Sequence, residues 1–174
     1  KFAGTFGDAS SISFYPAKIL GCLGDGGAIL TNDSDIYERI MLLRDHGRDS
    51  KSGEVISWGF NSRLDNIQAA FLNYFFSKYD EVILKRRHFA QLYHEGLKEI
   101  EEIYLPEPPN NGDHFDVFQN YEIQAKNRDN LREFLLKNGI GTLIQWGGKA
   151  IHQFKGIGME KNLPVTDQIF SEIL

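Results

Sequence analysis

The chain has 174 residues, of which 41% are hydrophobic and 25% are charged, a composition typical of soluble globular proteins. Its formal net charge of -5 argues against a nucleic-acid-binding surface, which would show as clustered lysine and arginine. No apolar stretch is long enough to span a membrane, and the single cysteine excludes both an internal disulfide and a zinc site built from several thiolates. We therefore expect a cytoplasmic protein with no nucleic-acid or membrane partner. The nearest approach to a basic patch, Lys85–His88, lies in an amphipathic helical pattern and is predicted to be a solvated helix face.

The first predicted elements are two short apolar strands, residues 9–14 and 27–31, joined by a stiff turn. Pro16 fixes its own φ and biases Tyr15 toward an extended conformation, so this segment is unlike a helix. Three glycines then permit positive φ and close backbone approach: Gly24, Gly26 and Gly27. The pattern predicts a reversal of the chain that presents Lys18.

Two interpretations of Lys18 follow from this local pattern. It is either an exposed lysine at the tip of a hairpin, or a partly desolvated, nucleophilic amine of the kind that forms a Schiff base with a carbonyl cofactor. A phosphate cradle at residues 24–27 is a further alternative, although no Gly-Lys-Ser/Thr sequence ends the loop. Cys22, in the same loop, is predicted to be a small buried hydrophobe rather than a reactive thiol.

Helical patterns follow the second strand. Asn32 or Asp33 can cap a helix that Gly47 ends. From Leu64 the pattern stays helical for about thirty residues, with a break near Ser77. A helical stretch of this length commonly joins two bodies of a protein.

We place a domain boundary on this long helical stretch, between residues 1–76 and residues 77–174. The second domain is predicted to be a small α+β unit, with strands at Tyr121–Ala125 and Ile140–Trp146. Its last helix begins at Pro164, a position that proline tolerates, and the chain stops in what is predicted to be the middle of that helix.

Several segments carry a family resemblance. The run SFYPAKILGCLGDGGAILTND, at Ser13–Asp33, resembles the cofactor-lysine segment of the DegT–DnrJ–StrS family of pyridoxal-phosphate sugar aminotransferases. Further similar stretches follow in the same order: LLRDHGRD at 42–49, GFNSRLDNIQAA at 59–70, RDNLREFLLKNGIGT at 128–142 and LPVTDQIFSEIL at 163–174. Members of the family are longer, with the lysine near their middle, so we expect this chain to be the C-terminal portion of a longer protein.

The resemblance implies an α/β fold, that of the pyridoxal-phosphate (PLP) transferases of the aspartate aminotransferase type, fold type I. Residues 1–76 would form the last part of the large PLP-binding domain. Residues 77–174 would form the linking helix and the small C-terminal α+β domain. The family is dimeric with active sites at the subunit interface, so a homodimer is expected.

The resemblance also implies roles for five side chains. Lys18 would form the internal aldimine with PLP and shuttle the proton during transamination; a histidine at this position marks the dehydratase members. Ser13 would bind the cofactor phosphate, unless it makes only a local backbone bond at the strand end. Asn61 would reach the phosphate of the neighbouring subunit, unless it caps the following helix, and Arg63 would add positive charge there, unless it lies on the surface. His152 would lie near the substrate, and no metal is expected.

The function that the resemblance implies is transamination of a nucleotide-linked keto-sugar, with glutamate or glutamine as the amino donor. The product would enter polysaccharide or amino-sugar biosynthesis. Two alternatives stay open, an inactive or regulatory relative and a non-catalytic phosphate-binding fragment. Aldimine formation at Lys18 would distinguish the enzyme from both alternatives.

Overall fold

The computed structural model describes residues 2–110, 112–159 and 161–174. The chain forms two compact units, Lys1–Ile83 and Leu84–Leu174. The division between the units falls within a helix, a few residues beyond the predicted domain boundary at 76/77. That domain boundary stays a prediction. In the described part of the chain, no helix combines the length and apolar character needed to cross a bilayer.

The first unit begins with an antiparallel hairpin of two strands, β1 (Ala9–Ser13) and β2 (Gly27–Thr31). The register pairs Ala9 with Thr31 at one end and Ser13 with Gly27 at the other. Both strands lie where the apolar runs predict them. A sheet of only two strands is marginally stable in water, so this hairpin depends on further packing.

Helix α1 (Ser34–Arg44) follows, and the side chain of Asp33 caps it by accepting bonds from the backbone N–H groups of Asp35 and Ile36. The helix ends one residue earlier than a stop at Gly47 predicts. Asp45 is the C-cap, His46 takes the left-handed conformation at φ 61°, and Gly47 follows at φ 73°.

Two further helices complete the first unit and lead into the second. Helix α2 (Asn66–Phe76) and helix α3 (Tyr79–Leu97) are separated at Ser77, which confirms the predicted break. Helix α3 continues through Gly96, because one glycine lowers helix stability by only about 1 kcal/mol.

The second unit contains α+β elements. Strands β3 (Ile103–Tyr104) and β4 (Gln124–Ala125) pair antiparallel, and helices α4 (Arg128–Lys137) and α5 (Pro164–Glu172) follow. Arg128 joins the two helices, because its Nη1 donates a 2.7 Å hydrogen bond to the Phe170 carbonyl oxygen. Pro164 stands in the first turn of α5, as predicted.

The predicted strand at Ile140–Trp146 is wrong. The structure has irregular chain there, then short 3-10 helices at Gln145–Gly148, Ile151–Gln153 and Lys155–Ile157. Trp146 and Gly147 adopt φ values of 51° and 65°, which are incompatible with a strand. The predicted strand at Tyr121–Ala125 shortens to its last two residues, which are the ones that pair with β3.

The end of the chain also differs from the prediction. Helix α5 stops at Glu172, and Ile173 forms an antiparallel bridge with Gln124. Two backbone hydrogen bonds of 2.9 Å join Ile123 and Leu174 in both directions. The last residues therefore extend the pairing of β4 instead of continuing the helix.

The basic run on α3 is not a solvated face. Arg86 and Arg87 are half-buried. Nη1 of Arg86 donates to the carbonyl oxygens of Phe118 at 3.1 Å and Gln119 at 3.0 Å. Nη2 of Arg87 donates to the Pro109 carbonyl at 3.2 Å. These guanidinium groups satisfy backbone acceptors of a loop that has little regular structure of its own.

We expect Arg86→Ala to destabilise the second unit by about 2 kcal/mol, because it leaves two partly buried carbonyl groups without their charged donor. Urea unfolding of the full-length protein measures the change. The matched control is Arg132→Ala, at an exposed position of α4, which should change the free energy of unfolding by less than about 0.5 kcal/mol. Equal effects of the two variants would show that Arg86 does not hold the loop.

Apolar exposure is high in both units. Among the described residues no large side chain is fully buried. Trp58 is 96% exposed, and Leu143 and Trp146 are 71% and 78% exposed. Exposed apolar surface on this scale is typical of surfaces that contact other protein.

Candidate active site

Lys18 lies on a tight turn. Its backbone N–H donates a 2.8 Å hydrogen bond to the Tyr15 carbonyl oxygen, which closes a four-residue turn with Pro16 at the second position. The side chain is exposed, and within the described residues the structure shows no hydrogen bond or ion pair at its Nζ. The turn therefore presents an amine that has no competing partner in the part of the chain that the structure describes.

The loop that carries this turn is closed by Phe14. The Phe14 N–H donates to the Gly26 carbonyl at 2.8 Å, and its carbonyl accepts from the Cys22 N–H at 2.7 Å. Gly21 is required by close approach, because a Cβ there would lie 2.8 Å from the Tyr15 carbonyl oxygen. The strand end and the glycines thus hold the lysine turn from both sides.

Cys22 is a buried residue of this loop, which agrees with the predicted apolar role. Burial raises the pKa of its thiol, so little of the nucleophilic thiolate is present at neutral pH. Gln68 of α2 ties the same loop down, because its Oε1 accepts a 2.9 Å hydrogen bond from the Leu23 N–H. No local pattern indicates this contact, since the two residues are 45 positions apart.

Ser13 lies at the end of β1, on the wall of a cleft of about 910 Å³. Its Oγ accepts a hydrogen bond of 3.3 Å from the Tyr15 N–H. A hydroxyl that accepts one bond still has its own proton to donate, so the local backbone contact and a phosphate contact are compatible. Arg63 lines the same cleft.

Asn61 lies on a segment that is bound to the end of α1. The Phe60 N–H donates to the Leu43 carbonyl at 2.6 Å, and the Ser62 N–H donates to the Arg44 carbonyl at 2.9 Å. Helix α2 has Asp65 as its N-cap, so the alternative role of Asn61 as the cap is wrong. The carboxamide is exposed.

Arg63 has a protein partner that the sequence does not indicate. Its Nη1 forms a salt bridge with Oδ1 of Asp45, the C-cap of α1. The side chains of Arg63 and Asp45 are 48% and 31% exposed, so solvent partly screens the pair. Arg63 is therefore a partly exposed side chain that is ion-paired with Asp45 rather than an unpaired surface charge.

His152 lies in the second unit, whereas the other four candidates lie in the first. Its side chain is only 5% exposed, and its Nε2 is 2.9 Å from Oδ1 of Asp167. Gln153 donates to the same carboxylate oxygen. Nδ1 of His152 is buried and has no hydrogen-bond partner among the described residues. The ring is held inside its own unit and is not presented to solvent.

Comparison with known proteins identifies the group to which this arrangement belongs. Residues 1–174 match the description "DegT/DnrJ/EryC1/StrS aminotransferase family". The chain belongs to this family. The family predicted from the lysine segment is confirmed.

Two curated relatives illustrate the range of the family. A protein of Geobacillus stearothermophilus named "Pleiotropic regulatory protein" is 38% identical over 146 residues, which are 84% of this chain and 39% of the relative. The "dTDP-3-amino-3,6-dideoxy-alpha-D-galactopyranose transaminase" of Aneurinibacillus thermoaerophilus is 37% identical over 176 residues, covering 100% of this chain and 47% of the relative. The chain thus spans about half the length of the relatives it matches, or less.

Solved structures show the same fold. An aminotransferase of this family from Brucella abortus superimposes with a TM-score of 0.87 at 34% identity, over 99% of this chain and 46% of its own. NtdA from Bacillus subtilis, described "with bound cofactor PMP", superimposes with a TM-score of 0.83 at 25% identity, over 98% and 41%. The predicted fold class, part of an α/β PLP-dependent transferase, is confirmed.

Proposed function

We propose that the full-length polypeptide is a PLP-dependent aminotransferase that transfers an amino group to a nucleotide-linked keto-sugar. Glutamate or glutamine is the amino donor. The observation that carries the proposal is the lysine turn, which presents Lys18 with no competing partner among the described residues, inside a segment that matches the family. The sugar transaminases among the relatives support the substrate class.

The donor set fits pyridoxal phosphate. The aldehyde of this cofactor requires a primary amine, which Lys18 supplies. Its phosphate group requires neutral and cationic donors, and Ser13, Asn61 and Arg63 offer a hydroxyl, a carboxamide and a guanidinium. When bound, the cofactor supplies an electron sink that stabilises negative charge on the substrate carbon. The bound cofactor in a solved relative supports this assignment.

The residues of this chain then have distinct tasks. Lys18 would hold the cofactor through Nζ, and as a free amine the same Nζ would accept and return the proton. A lysine here favours transamination over dehydration. Ser13 and Asn61 would orient the phosphate by donating hydrogen bonds. The buried His152 ring, which is bound to Asp167, is assigned the positioning of its own segment.

The assembly that we propose is a homodimer in which Asn61 serves the active site of the neighbouring subunit. Two aromatic side chains next to Asn61 support this arrangement, because Trp58 is 96% exposed and Phe60 is 68% exposed. Exposed aromatic residues are enriched at protein interfaces. We assign residues 1–76 to the large domain and residues 77–174 to the linking helix and small domain.

The enzyme is proposed to act in the cytoplasm, without a nucleic-acid or membrane partner. A single, buried cysteine is typical of proteins that do not rely on disulfides. The product would supply an amino sugar for polysaccharide or related biosynthesis.

A second candidate function is a regulatory relative that keeps the fold without transamination. The name of the Geobacillus relative favours it. Cofactor attachment at Lys18 together with turnover of a keto-sugar distinguishes the enzyme from this alternative.

Borohydride reduction of the full-length protein in the presence of PLP, followed by peptide mass mapping, tests the proposal. We expect a pyridoxyl adduct on Lys18, because reduction converts the reversible link between the aldehyde and the amine into a stable one. A homogeneous protein that carries no adduct at Lys18 would overturn the aminotransferase assignment and favour the regulatory relative.

A further inference from the structure

The end of α1 and the segment that carries Asn61 form a short antiparallel pair. Asp45 and Asn61 are the partners of an isolated bridge. The hydrogen bonds lie on either side of them: the His46 N–H donates to the Phe60 carbonyl at 2.9 Å, and the Ser62 N–H donates to the Arg44 carbonyl at 2.9 Å. Asp45 and Asn61 are therefore a non-hydrogen-bonded pair, the kind in which side chains on the shared face lie closest together.

The salt bridge between Asp45 and Arg63 brings the third side chain to the same place. One carboxylate thus neighbours both groups that we assign to the phosphate. The Asn61 segment is anchored by backbone bonds, whereas the Arg63 guanidinium is at the end of a long flexible side chain. Its position depends on the contact with Asp45.

The guanidinium can bind Asp45 and a second anion at once. It has five N–H donors in a planar fork, and the contact to Oδ1 of Asp45 is made by Nη1. The remaining N–H groups can point toward phosphate oxygens and donate hydrogen bonds to them. Two effects of Asp45 on a bound phosphate therefore oppose each other. The carboxylate holds the guanidinium in place, and its negative charge repels the phosphate.

We propose that Asp45 is a positioning residue of the cofactor-phosphate site, where holding Arg63 outweighs the repulsion. The inference rests on the proposed function, because it assigns Arg63 and Asn61 to that phosphate. The Asp45–Arg63 pair is partly exposed to solvent, which favours the attraction over the repulsion. Water screens the longer-range repulsion between Asp45 and the phosphate more than the direct contact between Asp45 and Arg63.

The test compares the full-length holoenzyme with Asp45→Asn, which keeps the shape of the side chain and removes its charge. We expect the dissociation constant of PLP, measured by equilibrium dialysis, to rise about tenfold, within the range of coupling that contacting charged groups show. Asp45→Glu should recover part of the affinity. The melting temperature of the apoprotein should change little, because the backbone pairing at Asn61 remains.

Asp49→Asn is the matched control, since it removes the same charge from the same loop. The Ser52 hydroxyl and the backbone N–H groups of Lys51 and Ser52 bind this carboxylate and hold the pKa of Asp49 below its ordinary value. None of these groups belongs to the proposed phosphate site. The PLP dissociation constant of this variant should equal that of the wild type.

Pyridoxal, which lacks the phosphate group, distinguishes a role at the phosphate site from a general structural role. If Asp45 acts through Arg63 on the phosphate, Asp45→Asn should leave the affinity for pyridoxal unchanged. In an Arg63→Gln background, Asp45→Asn should cause no further loss of PLP affinity. Equal losses for PLP and pyridoxal, additive losses in the double variant, or tighter PLP binding by Asp45→Asn would each overturn the inference.

Two further variants separate this inference from the proposed function. If Asn61→Ala and Arg63→Gln weaken PLP binding but Asp45→Asn does not, the role of Asp45 is wrong and the phosphate assignment stands. If neither Asn61→Ala nor Arg63→Gln changes PLP binding, the phosphate assignment is overturned and the inference with it. The adduct on Lys18 tests the enzyme assignment independently of both outcomes.

Discussion

Lys18→Ala is expected to reduce transamination of a nucleotide-linked keto-sugar by at least about 10⁴-fold, because one side chain supplies both covalent attachment and proton transfer. The same variant should give no pyridoxyl adduct after borohydride reduction. Its melting temperature should stay close to that of the wild type, since the Lys18 side chain is exposed and the turn is closed by backbone atoms. Steady-state kinetics and peptide mapping on the full-length protein measure both effects.

Lys51→Ala is the control for this prediction. Lys51 is another exposed lysine of the first unit, on the loop between α1 and α2. Its removal should leave turnover and the Lys18 adduct unchanged. Turnover that persists in Lys18→Ala, or an adduct that moves to another lysine without loss of rate, would contradict the assignment of Lys18.

Gly47→Ala is expected to destabilise the first unit by more than about 3 kcal/mol. Losses of this size arise where a substitution overpacks a buried site or strains a special backbone conformation. Gly47 is buried at φ 73°, and a Cβ there would lie 1.8 Å from the Ser57 carbonyl oxygen. The clash involves backbone, so the segment that carries Asn61 must move. Hydrogen exchange should show lost protection at the Phe60 and Ser62 amides, which donate to the end of α1.

Gly53→Ala separates the clash from the cost of the backbone conformation. Gly53 lies in the same loop at φ 76°, and a Cβ there would meet no atom within 4 Å. This variant should lose only about 1–2 kcal/mol, the cost of a left-handed conformation for an L-residue with a side chain. Similar losses at the two glycines would show that close packing against Ser57 is unimportant.

Several features of the fold follow from local sequence. The strands Ala9–Ser13 and Gly27–Thr31 lie where short apolar runs end at turn residues, and Asp33 caps α1 as its position predicts. The lysine turn is local as well, since Pro16 and the hydrogen bond from Lys18 to Tyr15 lie within four residues. The resemblance of the lysine segment added the family and the fold class, which the comparisons confirm.

Other features depended on partners that local patterns do not contain. Ile140–Trp146 is apolar enough for a strand, but a strand forms only where another strand pairs with it, and β4 pairs instead with β3 and with Ile173. Arg86 and Arg87 have the pattern of a solvated helix face, yet loop carbonyls more than twenty residues away bind them.

The candidate site divides in the same way. Lys18 and its turn follow from local sequence, because neighbouring residues restrict the backbone there and a family segment surrounds it. The contacts of Asp45 with Arg63, 18 residues away, and of Asp167 with His152 became visible only in the folded chain. Turns, caps and helical faces depend on groups a few residues apart, whereas a salt bridge depends on which charges folding brings together.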